Sequence, residues 1–116
     1  MPGMSIHVVD IARGAVAAGM RVRVERIEAE GPVLVAQGRV GSNGLVAAPE
    51  LAALLPAGVY EASFAIGDYL RAIVAPSTSQ FLDVAPFRFT LSDPQSHCHL
   101  PFKFTAYGFS CFRGAE

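Results

Sequence analysis

The stretch His97-Cys98-His99-Leu100-Pro101-Phe102-Lys103-Phe104-Thr105-Ala106-Tyr107-Gly108-Phe109-Ser110-Cys111-Phe112-Arg113-Gly114 decides how the chain is read. Two apolar runs flank Tyr107-Gly108, a pair suited to a turn, so the segment is predicted to form a C-terminal β-hairpin. Side chains on a strand alternate between faces, which puts His97 and His99 on one face and Cys98 on the other. The chain has only three histidines, so two imidazoles on one face mark a candidate site. The third, His7, falls in the first predicted strand.

Outward from the hairpin, Asp93-Pro94 breaks the chain. Residues 83–91 alternate Phe87, Phe89 and Leu91 against Arg88 and Thr90, a strand that Pro86 assigns to an edge or a bulge. Residues 77–80 read as loop. Residues 69–74 read as a short helix with Asp68 as its N-cap and Pro76 as its stop. Residues 58–66 alternate Tyr60, Ala62, Phe64 and Ile66 against Glu61, Ser63 and Ala65 and form a strand. Residues 50–55, between two prolines, allow one helical turn at most. Val46 can start only a very short strand. Gly41-Ser42-Asn43-Gly44 is a turn, with Asn43-Gly44 suited to type I′ geometry. Residues 33–39 form a strand whose apolar run suggests burial on both faces, and residues 28–32 turn into it. Residues 21–27 place Val22, Val24 and Arg26 on one face and Arg21, Arg23 and Glu25 on the other. Residues 12–19 are a small-residue loop, and residues 5–10 a β-branched strand. Seven or so short strands with one short helix argue for a β-sandwich.

The 116 residues fit one domain with its own core. Hydrophobic residues make up 52% and charged residues 16%, which excludes disorder and implies an apolar surface covered by homo-oligomerisation. A formal net charge of −1 leaves no electrostatic footprint for nucleic acid or anionic lipid. The N-terminal MPGMSIHVVD has no secretory pattern, and no apolar run approaches the roughly 18 residues that span a bilayer. The expectation is a cytoplasmic protein without nucleic-acid or membrane partners. Cys98 and Cys111, on opposite arms of the hairpin, are expected as reduced apolar residues rather than a disulfide.

Several stretches then stand out together: Ile6-His7-Val8-Val9-Asp10, Ala17-Ala18-Gly19-Met20, Gly58-Val59-Tyr60 and Phe64-Ala65-Ile66-Gly67-Asp68-Tyr69. Asp93-Pro94 and His97-Cys98-His99-Leu100-Pro101 follow, then Tyr107-Gly108-Phe109-Ser110 and Phe112-Arg113-Gly114-Ala115. In these the chain resembles the transthyretin-like family, specifically its 5-hydroxyisourate hydrolases, which carry His-Tyr-His-Val-Pro and end in Tyr-Arg-Gly-Ser. The resemblance implies an all-β, transthyretin (prealbumin)-like sandwich of seven to eight strands with one short helix. It further implies a single domain over residues 1–116 and a homotetramer.

The family site is similar to a cluster of two histidines, an arginine and the terminal Tyr-Arg-Gly-Ser. His7 and His99 match the histidines and are the expected catalytic pair. Leu45 stands where the family's turn has arginine, Phe112 where it has tyrosine and Ala115 where it has serine, so five guanidinium donors and two hydroxyls are lost. Arg113 matches the terminal arginine, and the competing reading is a solvated end-of-chain charge. His97 shares the face of His99, and two readings of it stay open: orienting a neighbour, or a structural strand residue. Leu45, His97, Phe112, Arg113 and Ala115 are the expected substrate-binding residues.

Opening a cyclic ureide or imide needs a nucleophilic water, a base and a proton for the leaving nitrogen; two imidazoles supply base and acid near neutral pH. The reading implied is a hydrolase of 5-hydroxyisourate, or of a less polar analogue such as an N-methylated one, in purine catabolism and without a cofactor. His-x-His plus a distant histidine is also a zinc geometry, but no carboxylate is evident to orient the rings, and no metal is expected. Two alternatives use the same residues. One is a non-catalytic transthyretin-like tetramer holding an aromatic ligand; the other is a repurposed histidine-dependent enzyme.

Overall fold

In Met4–Asp10 the alternate residues Met4, Ile6, Val8 and Asp10 are buried while Ser5, His7 and Val9 face outward. The same two-residue period builds the rest of the computed structural model, which describes residues 2–73 and 81–114. The strands are β1 (Met4–Asp10), β2 (Ala15–Val16), β3 (Arg21–Glu28), β4 (Gly31–Arg39), β5 (Gly58–Ala65), β6 (Val84–Leu91), β7 (Cys98–Phe104) and β8 (Phe109–Cys111). A 3₁₀ turn (Pro49–Ala52) precedes β5, and one helix, α1 (Ile66–Ile73), follows it. No helix among the described residues is long and apolar enough to cross a membrane.

The strands form two four-stranded sheets, ordered β2-β1-β7-β8 and β4-β3-β5-β6. Ile6, Val8, Leu100 and Phe102 of the first sheet and Val22, Val24, Tyr60 and Phe64 of the second are at most 1% exposed and form the core between them. Phe64 and Phe102 stack across that core, with ring centroids 3.7 Å apart and planes 6° apart. Burying two such rings removes far more apolar area from water than any aliphatic pair, so this stack is a main tie between the sheets.

The pairing of β1 with β7 is parallel and continuous, from Met4 opposite Cys98 to Asp10 opposite Phe104. Parallel neighbours require a long crossover, and here everything from β2 to β6 lies between them. Asp10, 2% exposed at the end of β1, receives hydrogen bonds from the Tyr69 hydroxyl at 3.1 Å and the Arg13 amide at 3.3 Å. Arg13 in turn donates to the Tyr69 oxygen at 2.9 Å. Burial raises the Tyr69 hydroxyl above its ordinary phenol value, against Arg13, which lowers it. This network fastens α1 to the first sheet.

Three local expectations are corrected. Residues 33–39 are not buried on both faces: β4 is an edge strand, with Ala36 its one buried residue and Val33 and Leu34 exposed. An apolar run reads the same whether a second neighbour exists or not. The turn at residues 41–44 is not type I′, because no non-glycine residue among those described has a positive φ. Gly44 alone takes it, at +84°, while its amide closes the turn on the Gly41 carbonyl at 2.9 Å. Asp68 is not the N-cap, since α1 begins at Ile66 and Asp68 lies in its first turn. Two smaller differences are that β2 lies within the loop at residues 12–19 and that Ile66 belongs to the helix. The loop expected at residues 77–80, the stop at Pro76 and the helix end at Val74 lie outside the described residues.

Pro86 sits on edge strand β6, as its missing N–H requires. The hairpin β7–β8 is present, with Phe102 opposite Cys111 and Phe104 opposite Phe109. Both cysteines are free thiols. Burial raises Cys98 above the ordinary thiol range, offset in part by the positive charge of Arg113. Burial also pushes Cys111 up to about 11. A thiol raised by about two pH units has its thiolate fraction cut about 100-fold at neutral pH, and only the thiolate attacks alkylating agents. Iodoacetamide should therefore modify Cys111 at least about tenfold more slowly in the folded than in the urea-unfolded protein at about pH 8. The folded-state rate should keep rising toward about pH 11. Equal rates, followed by peptide mass mapping, would contradict the burial.

Candidate functional site

The outward face of β1 carries Ser5 and His7, and the matching face of β7 carries His99. The parallel register places Ser5 directly opposite His99 and His7 opposite Pro101, so His7 and His99 are diagonal neighbours on adjacent strands. His97 stands just before β7. All three imidazoles are partly buried. The Ser5 hydroxyl lies between two of them, 2.8 Å from Nε2 of His97 and 2.6 Å from Nδ1 of His99. Nδ1 of His97 is 3.4 Å from the Pro2 carbonyl. The sequence reading passed over Ser5. Its signal was the two-residue period from His7, which meant nothing until β1 was known to pair with β7.

Two loops border this face by backbone pairing. Leu45 bridges His7, flanked by hydrogen bonds from the Val8 amide to the Gly44 carbonyl at 2.9 Å and from the Val46 amide to the Ile6 carbonyl at 3.0 Å. Such a non-hydrogen-bonded antiparallel pair brings its side chains closest and on one face. Leu45, 37% exposed, is thus the immediate neighbour of His7. Asn43 holds the loop by accepting the Leu45 amide on its side-chain oxygen at 3.0 Å. On the other side Gly114 bridges His99, its amide donating to the His99 carbonyl at 2.7 Å. Phe112, 45% exposed, lies two residues earlier. Arg113 donates to the His97 carbonyl at 3.3 Å, which ties the tail to the start of β7. Ala115 lies outside the described residues.

Both loops approach so closely that only glycine fits. A Cβ on Gly44 would stand 2.4 Å from Nε2 of His7, and one on Gly114 would meet the Pro101 ring at 2.8 Å and His99 Cδ2 at 3.2 Å. The His97–Ser5–His99 arrangement converges on a hydroxyl, and among the described residues no three His, Cys, Asp or Glu side chains are grouped to hold a metal ion. Two concavities of about 580 and 550 Å³ lie elsewhere, both bordered by Arg21, Arg39 and Asp68, and neither is lined by a histidine.

A two-sheet sandwich with one short helix, and paired histidines on the outer face of its parallel strand pair, defines a protein of the transthyretin architecture. Residues 4–114 match the model of the HIUase/transthyretin family, and the chain belongs to that family. A protein named 5-hydroxyisourate hydrolase from Caulobacter vibrioides is 39% identical over 99% of this chain and 100% of its own. One of that name from Deinococcus radiodurans is 37% identical over 98% of this chain and 97% of its own. The solved 5-hydroxyisourate hydrolase of Klebsiella pneumoniae superposes with a TM-score of 0.82 at 29% identity, over 99% of this chain and 100% of that one.

Gly44→Ala combines the left-handed backbone cost with the collision on His7. It should lower the unfolding free energy by at least about 1 kcal/mol and shift the His7 ring resonances. Urea denaturation and NMR of the ring protons check both; an unchanged His7 signal would mean that the loop is free to withdraw.

Proposed function

We propose that the chain is a ring-opening hydrolase of 5-hydroxyisourate or a less polar analogue, with His7 and His99 as its acid–base pair. The observation that carries this reading is the placement of both imidazoles, diagonal neighbours on adjacent strands, on one outward face bordered by Leu45 and Gly114. One imidazole takes a proton from water as the oxygen adds to the ring amide carbonyl. The C–N bond of the tetrahedral adduct then breaks, and the other imidazole, protonated from the start, gives its proton to the departing nitrogen. Water is consumed, and a carboxylate and an N–H replace the amide. Strand-borne side chains suit this task because their backbone is fixed on both sides.

Leu45 gives the substrate specificity its direction. It stands beside His7 where the family carries a guanidinium, so that wall offers no hydrogen-bond donor. A methyl group on the substrate there would replace an N–H left without a partner. An N-methylated hydroxyisourate should therefore be turned over with a higher kcat/KM than the unmethylated compound. His7→Ala and His99→Ala should each reduce kcat by about 10²–10⁴-fold. Leu45→Arg should move the preference back toward the unmethylated substrate. Stopped-flow decay of both compounds, freshly generated by a urate oxidase, tests all three. If neither substrate decays faster than in buffer, the protein is a ligand-binding or repurposed member of its family.

The site also bears on assembly. Leu45 and Phe112 are exposed near the half-buried imidazoles, and hydrolysis gains from a face closed to bulk water. We assign the closing surface to a second copy, within a homotetramer of two sandwich dimers. Light scattering at micromolar concentration should give four times the chain mass, and a stable monomer would overturn the assembly.

A further inference from the structure

We infer that Ser5 is a positioning residue: its hydroxyl carries a one-way chain of hydrogen bonds from the Pro2 carbonyl through His97 to His99, holding His99 in the tautomer whose Nε2 bears no proton. The inference deepens the hydrolase reading, on which the catalytic use of His99 rests, but the hydrogen-bond chain itself requires no substrate.

The direction follows from counting protons. The Pro2 carbonyl has only lone pairs, so the His97 Nδ1 facing it at 3.4 Å must be the donor. A neutral imidazole has a single N–H, so Nε2 of His97 is then a bare acceptor. Ser5 Oγ, 2.8 Å away, has the only proton available for that bond and donates it. Toward Nδ1 of His99, at 2.6 Å, the hydroxyl is left with lone pairs alone, so His99 donates. The single-proton rule, applied to His99, leaves its Nε2 bare. Nε2 has no hydrogen-bond partner among the described residues and is the nitrogen able to accept a proton from water.

Each bond excludes its own reversal as long as the carbonyl at the start cannot donate. When His99 accepts a proton, its Nδ1–H still points at Ser5, and that bond becomes charge-assisted without any hydroxyl rotation. The arrangement thus favours the protonated product of the first catalytic step. Serine suits the position because a hydroxyl donates once and accepts at the same time; alanine would offer neither. The parallel register, with Ser5 opposite His99, keeps the oxygen within reach of both rings, while Cys98 points into the core between them.

The test is the tautomer itself. In the ¹⁵N-labelled protein, long-range ¹H–¹⁵N correlation spectra recorded above the histidine titration range should show His99 protonated on Nδ1 and bare on Nε2. Ser5→Ala should move His99 toward the Nε2–H form that free imidazole side chains favour and lower kcat about 10- to 100-fold with little change in KM. Ser5→Thr, which keeps the hydroxyl, should restore both. His97→Phe, which removes the acceptor of the serine proton, should loosen the tautomer as Ser5→Ala does. A wild-type spectrum with His99 bare on Nδ1 overturns the inference even if hydroxyisourate is consumed, and so does an unchanged tautomer in Ser5→Ala. The expected tautomer in a protein that turns over no hydroxyisourate would leave the relay standing and remove the hydrolase reading.

Discussion

The parallel pairing of β1 with β7 is the constraint on which the rest of the molecule depends. It joins Met4–Asp10 to Cys98–Phe104 across almost the full length of the chain. Closing so long a loop costs conformational entropy before any contact is returned, and the sandwich core returns it. Ile6 and Val8 lie beside Leu100 and Phe102, and Phe102 stacks on Phe64 of the opposite sheet. The residues that alternate with these face outward: Ser5, His7 and His99. One register therefore produces both the core and the cluster. A slip of a single residue would exchange them.

The cluster is completed by backbone rather than by side chains. Residues 44–46 and Gly114 add bridges beside His7 and His99, and both loops come near enough that a methyl group at either glycine would strike a ring. The imidazoles are thus confined by strands on one side and by peptide planes on the other. Leu45 pairs with His7 through the main chain, so the identity of its side chain does not set that frame. The polar character of the neighbourhood can change while the positions of the histidines do not.

Away from the site, one hydrogen-bond network holds the frame together. Asp10, buried at the far end of β1, is satisfied by Tyr69 and the Arg13 amide, so the helix after β5 is bonded to the sheet that carries the histidines. Removing the phenol would leave a carboxylate short of partners, a larger loss than the bond itself. The edge strands β4 and β6 leave Val33, Leu34 and Val84 exposed, which continues the apolar surface expected from the composition.

The amino-acid sequence by itself determined the sandwich, a C-terminal hairpin turning at Tyr107-Gly108, the shared face of His97 and His99, and an edge or bulge position for Pro86. These are consequences of a two-residue period and of proline chemistry, both legible within a few neighbouring residues. Family resemblance added His7, Leu45 and Phe112 as candidates. Only the tertiary structure decided that Val33–Val35 would lack a second neighbour, that within the turn at residues 41–44 Gly44 alone would carry a positive φ, and that Ser5 would sit between two imidazoles more than ninety positions away. Burial depends on how many strands lie beside a residue, and a hydroxyl's partners depend on register. Both are fixed by pairings between distant segments, and no local pattern contains them.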